Sequence, residues 1–366
     1  METKRVPLYS KMRYLDLPFV IQKEILQNVA VTDLFILIQC SKRLHINIKY
    51  NLNPTLNNIK AVVYRCTNGN RCEIALTNKK PFLVIRPYSF LDCTRFLEKT
   101  TLFGMDVFCV PSKLPPTRRS TQKFSIPWTI ISNEVDTDLI LQRIHVYVVD
   151  FFGPSMSYDL ETFQTDFIPK LGIFSNSVHC LTGFLPRTQR GEYLKKLEEL
   201  LENCPTQKYL LYQSTEWNFQ PNSKILDTEE LDLWGCNNSK YILEKFNGSK
   251  LYFEIVNFDN NSAARFLDNW MKNRGPPNLE YLHVKYSPST LNEYRILRSF
   301  DVKKFDSPRR FRFCRRSFSR SKPQETSFEF YTVRPSDGHV ASVLIATRDF
   351  QFVDWKMPLH QLPVQN

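Results

Sequence analysis

The chain is poor in glycine and lacks the short motifs that mark most catalytic sites. It has only 10 glycines in 366 residues, and neither G-x-G-x-x-G nor G-x-x-x-x-G-K-[ST] occurs, so no nucleotide-binding loop is expected. A G-x-S-x-G nucleophile elbow is also absent. The 6 histidines never fall in H-E-x-x-H or in a zinc-type Cys/His spacing. The sequence therefore predicts a protein that is not an enzyme and carries no metal or cofactor.

Long apolar runs and paired cysteines are missing as well. No run approaches 18 apolar residues, so no membrane span is expected. No apolar segment precedes Leu15, so a secretory signal is not expected either. The 9 cysteines are scattered without a CxxC pair, which is typical of reduced thiols in a cytoplasmic or nuclear protein. A composition of 42% hydrophobic and 13% aromatic residues indicates a sizeable folded core.

Two short apolar runs with helical spacing lie near the N-terminus. Leu17-Pro18 opens the first run, in which Ile21, Ile25 and Val29 recur four residues apart. Proline suits the start of a helix, where its missing N–H costs little. Two short helices cannot bury all of this apolar surface between them, so the rest of the chain or a partner must cover it. Periodicity alone also fits an ordinary helical hairpin packed on the main domain.

The stretch Met12–Tyr50 resembles the F-box in residue type and in spacing. The apolar positions of that family fall on Leu15, Leu17, Pro18, Ile21, Ile25, Leu26, Val29, Leu34 and Leu37, and all of these except Val29 are the predicted adaptor-binding residues. The resemblance implies a three-helix module at residues 1–50, part of which contacts the Skp-type adaptor of an SCF (Skp–cullin–F-box) ubiquitin ligase. Cys40-Ser41-Lys42-Arg43 matches the segment that leads into a third helix. Ala30 replaces the usual aspartate before the second helix, where Thr32 is the predicted cap, and Leu44 replaces a common tryptophan.

A small β region and a linker are predicted for residues 55–125. Pro54 makes residues 51–56 a connector rather than helix. Strands are expected at 59–66, 71–76 and 82–85, with an Asn68-Gly69 hairpin turn between the first two and a proline-rich loop at 111–123. Cys66 and Cys72 would be neighbours across this hairpin, but two further ligands for a metal are not found.

The remainder, residues 135–366, alternates strand-like and helical segments, which predicts an α/β domain with parallel strands. Parallel strands are expected at 144–149, 178–184, 208–213, 230–234, 251–256 and 279–286, helices on one face at 191–204 and 261–274, and an antiparallel C-terminal edge at 328–333, 340–346 and 350–355. A shared core is expected from Leu231, Leu233, Tyr252, Ile255, Leu282 and Val284 with Leu197, Phe266 and Trp270. Strand spacings of 20 to 28 residues suggest an irregular leucine-rich-repeat-like solenoid, although a generic α/β sheet fits the same pattern.

A second resemblance covers this C-terminal part. Three blocks carry it: Glu230–Trp234, Ala264–Trp270 followed by Asn278–Leu282, and Asp337–Val343. In that order they are similar to the F-box-associated type 2 domain of the large nematode F-box family. The resemblance implies that this domain binds the protein to be ubiquitinated.

One basic segment carries much of the net charge of +12. Residues 301–322 hold nine Lys or Arg against two Asp, a net charge of +7. In a strand, Phe311 and Phe313 would face one side while Arg310 and Arg312 face the other. The candidate patch for an anionic partner consists of Arg309, Arg310, Arg312, Arg315 and Arg316. This run is either the solvated face of an edge strand or a patch for an anionic partner or nucleic acid. The leading hypothesis is a non-enzymatic substrate receptor, and an anion-binding protein that uses residues 303–322 is the alternative.

Overall fold

A computed structural model gives the architecture of the chain. It describes residues 14–39, 41–56, 59, 61–67, 71–76, 81–87, 98–110, 128–132, 137–163, 167–169, 171, 177–181, 187–203, 207–213, 222–236, 239–255, 257–286, 291–314, 323–346 and 348–362. Contacts within the chain divide it into two compact units, Met1–Val62 with Ile74–Met156 and Val63–Glu73 with Ser157–Asn366. We refer to these as unit 1 and unit 2. The functional domain boundaries drawn from the sequence stay a prediction.

The described residues form eight α-helices and sixteen strands. The helices are α1 (Phe19–Gln27), α2 (Val31–Leu37), α3 (Lys42–Leu56), α4 (Thr137–Phe152), α5 (Arg187–Glu202), α6 (Ser239–Lys245), α7 (Asn260–Met271) and α8 (Glu293–Leu297). The strands are β1 (Ala61–Thr67), β2 (Arg71–Leu76), β3 (Pro81–Pro87), β4 (Glu98–Leu102), β5 (Met105–Val110), β6 (Trp128–Ser132), β7 (Ser157–Phe163), β8 (Ser177–Leu181), β9 (Tyr209–Gln213), β10 (Glu230–Cys236), β11 (Lys250–Ile255), β12 (Tyr281–Tyr286), β13 (Val302–Cys314), β14 (Pro323–Val333), β15 (His339–Ile345) and β16 (Asp349–Pro358).

Unit 1 combines α1 to α4 with a mixed sheet in the order β3-β6-β5-β4. The strand pair β3 and β6 is parallel, and β6, β5 and β4 continue antiparallel. The predicted linker at 111–123 and the Asn68-Gly69 turn lie outside the described residues. The three strands predicted at 59–85 are confirmed as β1, β2 and β3.

Two expectations for unit 1 were wrong. Residues 51–56 are the last part of α3 and not a connector, so the helix runs through Pro54. Because proline has no N–H, the Tyr50 carbonyl four residues earlier loses its hydrogen-bond donor. Tyr50 is 78% exposed, so water can replace this donor. Residues 144–149 are helical, because Ile140, Ile144 and Val148 form a buried helical stripe.

Unit 2 contains the predicted parallel sheet. Its strands follow the order β13-β14-β15-β16-β12-β11-β10-β9-β8-β7, in which β7 to β12 pair in parallel. Strands β13 to β16 add the predicted antiparallel edge through β12 and β16. The first parallel strand is β7, which the sequence prediction missed in favour of 144–149. The leucine-rich-repeat-like character is not confirmed.

The helices α5 and α7 cover one face of this sheet, as predicted. Tyr193 of α5 stacks on Tyr212 of β9, and Phe266 of α7 contacts Phe350 of β16. Tyr212 and Phe350 lie in one row across the sheet, because the register from β9 to β16 aligns them through Leu233, Phe253 and Val284. Burial of apolar side chains between these helices and this face stabilises unit 2.

The opposite face of the sheet is covered at β11 and β12. Tyr252 lies there and not in the core beneath the helices, which corrects its predicted place. Phe313 of β13 packs on Tyr252 and Tyr281, with ring centroids 6.2 and 4.7 Å away. The long β13–β14 hairpin therefore covers this part of the sheet, and the face is not an open binding surface there.

Candidate functional site

Two of the three N-terminal helices begin where local chemistry favours them. Pro18 precedes α1 with φ −54° and ψ 144°, which suits the extended residue before a helix. Ala30 occupies the corresponding position before α2 and offers no side-chain cap, so the expected capping by Thr32 was wrong. Ser41 caps α3, because its Oγ accepts a hydrogen bond of 3.0 Å from the Leu44 N–H. The predicted third helix is confirmed.

A polar junction fixes the turn before α1 against α3. The buried Gln22 donates from Nε2 to the carbonyl oxygens of Leu17 and Leu15, at 2.7 and 3.3 Å. Its Oε1 accepts a 2.7 Å hydrogen bond from Asn47 Nδ2. Tyr14 Oη lies 3.2 Å from both the Gln22 carbonyl oxygen and Asn47 Oδ1, and burial raises the pKa of this phenol. These bonds hold the 15–18 segment in one position relative to the helices.

The predicted adaptor-binding residues separate into an exposed set and a buried set. Ile21 and Ile25 are 45% and 40% exposed, and Leu37 and Pro18 are exposed as well. Leu15 and Leu17 are partly buried. Leu26 and Leu34 are 2% and 0% exposed, so they hold the helices together instead of facing a partner.

Sequence reasoning missed four exposed apolar residues on the same helices. Phe19 and Val20 follow Pro18 on α1, and Ile46 and Tyr50 lie one turn apart on α3. The i, i+4 spacing of the last two was visible in the sequence, but only the third helix itself was predicted there, without its exposed face. Folded chains rarely expose so many large apolar side chains within some thirty-five residues, and a partner surface is the usual reason.

The inner side of the three helices packs on the rest of unit 1. Phe35 of α2 is fully buried, and its ring lies 5.3 to 6.1 Å from four others, those of Phe82, Phe103, Phe151 and Phe152. His45 Nε2 and Lys49 Nζ of α3 lie 3.1 and 2.9 Å from the carboxylate of Asp150 on α4. The exposed face of α1 is therefore presented by a supported module and not by a free helical hairpin.

The second candidate site, the basic run, is partly neutralised. The side chains of Arg310 and Arg312 are 67% and 77% exposed, and both face Glu325 of β14, with N···O distances of 3.3 and 2.7 Å. The hydrogen bond from Arg312 lowers the pKa of Glu325. Arg309 lies over the ring of Phe305, while Arg315 and Arg316 lie outside the described residues. The predicted alternation of arginine and phenylalanine is confirmed, and Glu325 offsets one of the two positive charges of Arg310 and Arg312.

Chemistry of other kinds has little support in the part of the chain that the structure describes. No group of three or more His, Cys, Asp or Glu side chains there is placed to hold a metal ion. The Sγ atoms of Cys66 and Cys72 are 3.4 Å apart, so these residues are neighbours as predicted. None of the described helices is long and apolar enough to cross a membrane.

Comparison with protein-family models identifies the N-terminal module. Residues 14–53 match the F-box domain. F-box domains typically bind Skp-type adaptors in SCF complexes, and F-box proteins are generally substrate adaptors and not enzymes. The matched range contains α1, α2 and most of α3 together with the polar junction. Searches of curated proteins and of solved structures found no match.

Proposed function

We propose that this chain is the substrate-recognition subunit of an SCF-type ubiquitin ligase. Its F-box binds a Skp-type adaptor, and through the adaptor a cullin, while residues 135–366 bind the target protein. The observation that carries the proposal is the match of residues 14–53 to the F-box domain, together with the exposed apolar side chains on the matched helices. The protein acts in the cytoplasm or nucleus, where this ligase machinery operates.

The target-binding role of the C-terminal part rests on its resemblance to the F-box-associated type 2 domain of the nematode F-box family. The sequence blocks that carry this resemblance include the strands β10 and β12, which belong to the parallel part of the sheet, and the helix α7. A sheet covered by helices on one face is a rigid support from which loops and helix surfaces can hold a protein. The resemblance also supports placing the target-binding domain at residues 135–366.

The exposed face of α1 provides a direct test of adaptor binding. Changing Ile21→Glu together with Ile25→Glu places two charges where the adaptor should pack. Loss of a buried apolar anchor worth about 2 kcal/mol weakens binding roughly 30-fold, so at least that loss is expected in a titration with purified adaptor. Leu17→Ala with Pro18→Ala should also lose adaptor binding while unit 2 stays folded.

Val146→Glu is the matched control for this test, because Val146 is a 65% exposed apolar residue on α4 of the same unit. It should leave the adaptor affinity unchanged. Equal affinity in the wild type and the Ile21/Ile25 variant would contradict the F-box proposal. The target function is tested separately, by comparing proteins that co-purify under proteasome inhibition with the wild type and with the adaptor-binding variant.

A further inference from the structure

A groove between α6 and α7 lies on the helix-covered side of unit 2. The space between its walls, which is open to solvent, amounts to about 430 Å³. The residues that line it are Ser239, Lys240, Leu243 and Glu244 of α6, Ser262, Arg265, Phe266 and Asn269 of α7, and Gly275 and Pro276 of the following loop. The walls therefore come from two helices and a loop that a buried sheet supports.

The floor of the groove is apolar and fixed in position. Phe266 is 4% exposed and packs edge-on against Phe352 of β16, with ring centroids 5.0 Å apart. Pro276 is buried and Leu243 is half-buried beside it. Because these side chains are held by the core, a ligand meets a preformed apolar surface and little conformational entropy is lost on binding.

The rim carries three charged side chains that form no ion pair within the described residues. Lys240 and Glu244 are one turn apart on α6, yet neither forms an ion pair with the other or with another described side chain. Arg265 is exposed on α7 and has a weak electrostatic effect on Asp259. By contrast, nearby Lys272 and Asp268 pair at 2.7 Å. Two cations and one carboxylate thus give the groove a net positive charge.

We infer that this groove binds a short peptide segment of the target that presents an apolar side chain beside an acidic one. The apolar side chain packs on Phe266, Leu243 and Pro276. The acidic side chain accepts hydrogen bonds from Arg265, whose planar guanidinium suits a carboxylate, and Lys240 adds a second positive charge. This inference rests on the proposed function, because it names the kind of target segment that the C-terminal domain recognises.

Two labelled peptide pools test the chemistry of the groove with the full chain. Both pools contain eight-residue peptides with Leu, Ile or Phe at the centre, flanked in one pool by Asp, Glu, Ser and Gly and in the other by Lys, Arg, Ser and Gly. Fluorescence anisotropy should show binding of the acidic pool. Lys240→Glu with Arg265→Glu should weaken that binding at least tenfold and should strengthen binding of the basic pool.

Lys245→Glu is the matched control, since it is an exposed lysine on α6 that does not line the groove. It should leave binding of both pools unchanged. The inference is overturned if the wild type binds the acidic pool no better than the basic pool, or if the double variant binds the acidic pool as well as the wild type does. Preference of the wild type for the basic pool would indicate that Glu244 decides the ligand, and it would also overturn the inference.

The adaptor titration distinguishes failure of this inference from failure of the proposed function. If the wild type binds the adaptor but shows no preference for the acidic pool, the receptor role stands and the groove is not its target site. If the adaptor does not bind, the receptor role fails whatever the peptide pools show. The Lys240/Arg265 variant should bind adaptor like the wild type, and its stronger binding of the basic pool verifies that the groove in unit 2 is still folded.

Discussion

Phe35 in the F-box stacks on Phe103 at the β4–β5 turn, with ring centroids 5.7 Å apart and an interplanar angle of 29°. Phe103 has a φ of 55°, a left-handed conformation that is strained for a bulky residue, and Gly104 follows with a φ of 70°. The ring of Phe103 is buried and also contacts Tyr147 of α4. Packing of the Phe103 ring thus holds the strained turn in place, and this turn fixes the F-box helices against the rest of unit 1.

Phe35→Ala should therefore destabilise the whole of unit 1. A buried phenylalanine with four aromatic neighbours typically loses about 3–5 kcal/mol on truncation to alanine, because a cavity remains among the other rings. Amide hydrogen exchange of the helices α2 and α4 in increasing urea measures the change within unit 1. Phe108→Ala is the control, since Phe108 is 48% exposed and should lose less than about 1 kcal/mol. Equal losses in the two variants would contradict this account of the packing.

The parallel strands of unit 2 were predictable because each has its own apolar run and a helix or turn signal beside it. The strand predicted at 144–149 was wrong. The run Ile144–Val149 taken alone fits the helical period of about 3.6 residues as well as the strand period of 2. Ile140 and Leu141, which precede this run, extend the buried stripe with helical spacing and therefore favour a helix. In the true strand β7 the alternate residues Tyr158, Leu160 and Thr162 are buried, and Glu161 between the last two is buried as well. Charged residues between them hid that pattern.

Helix ends and faces were harder to predict than the elements themselves. The helix predicted at 261–274 ends earlier than expected, because α7 stops at Met271 and Asn273 takes the left-handed conformation at φ 55°. The faces within the F-box depend on packing that a single sequence does not contain. Ile25 and Leu26 are adjacent apolar residues, yet only the second is buried.

The polar junction gives a second prediction about the adaptor surface. Gln22→Ala leaves the carbonyl oxygens of Leu15 and Leu17 and the Asn47 amide without their partner, which should cost about 1–3 kcal/mol of stability. Because these bonds position the 15–18 segment, adaptor affinity should fall in the same variant. Gln27→Ala, at an exposed position of α1, should change neither quantity. Wild-type affinity in the Gln22 variant would show that the junction does not position the adaptor surface.

Glu325 determines how strongly the basic run attracts anions. Its carboxylate lies between Arg310 and Arg312, so Glu325→Gln should release both guanidinium groups and raise the affinity for mixed nucleic acid, most clearly at low salt. Reversing Arg310, Arg312 and Arg315 to Glu should leave target binding unchanged if the run is only a solvated edge. A steep loss of partner binding at low salt in that triple variant would instead support the anion-binding alternative.

His145 should make the stability of the chain depend on pH. It is 3% exposed in α4, and burial lowers its pKa from 6.5 to about 4. Between these values the unfolded chain binds more protons than the folded chain, so this contribution is complete above about pH 6.5 and is lost as the pH falls to about 4. The loss is at most about 3–4 kcal/mol, because each unit of pKa difference corresponds to about 1.4 kcal/mol. His145→Leu removes this titration, and the unfolding free energy of the variant should fall less steeply over that range.

Two buried carboxyl groups act in the opposite direction. Burial raises the pKa of Glu161 and Glu198, which opposes the trend equally in both proteins, so the difference between the two stability curves isolates His145. Parallel curves from pH 4 to 6.5 would show that His145 does not titrate as its burial implies.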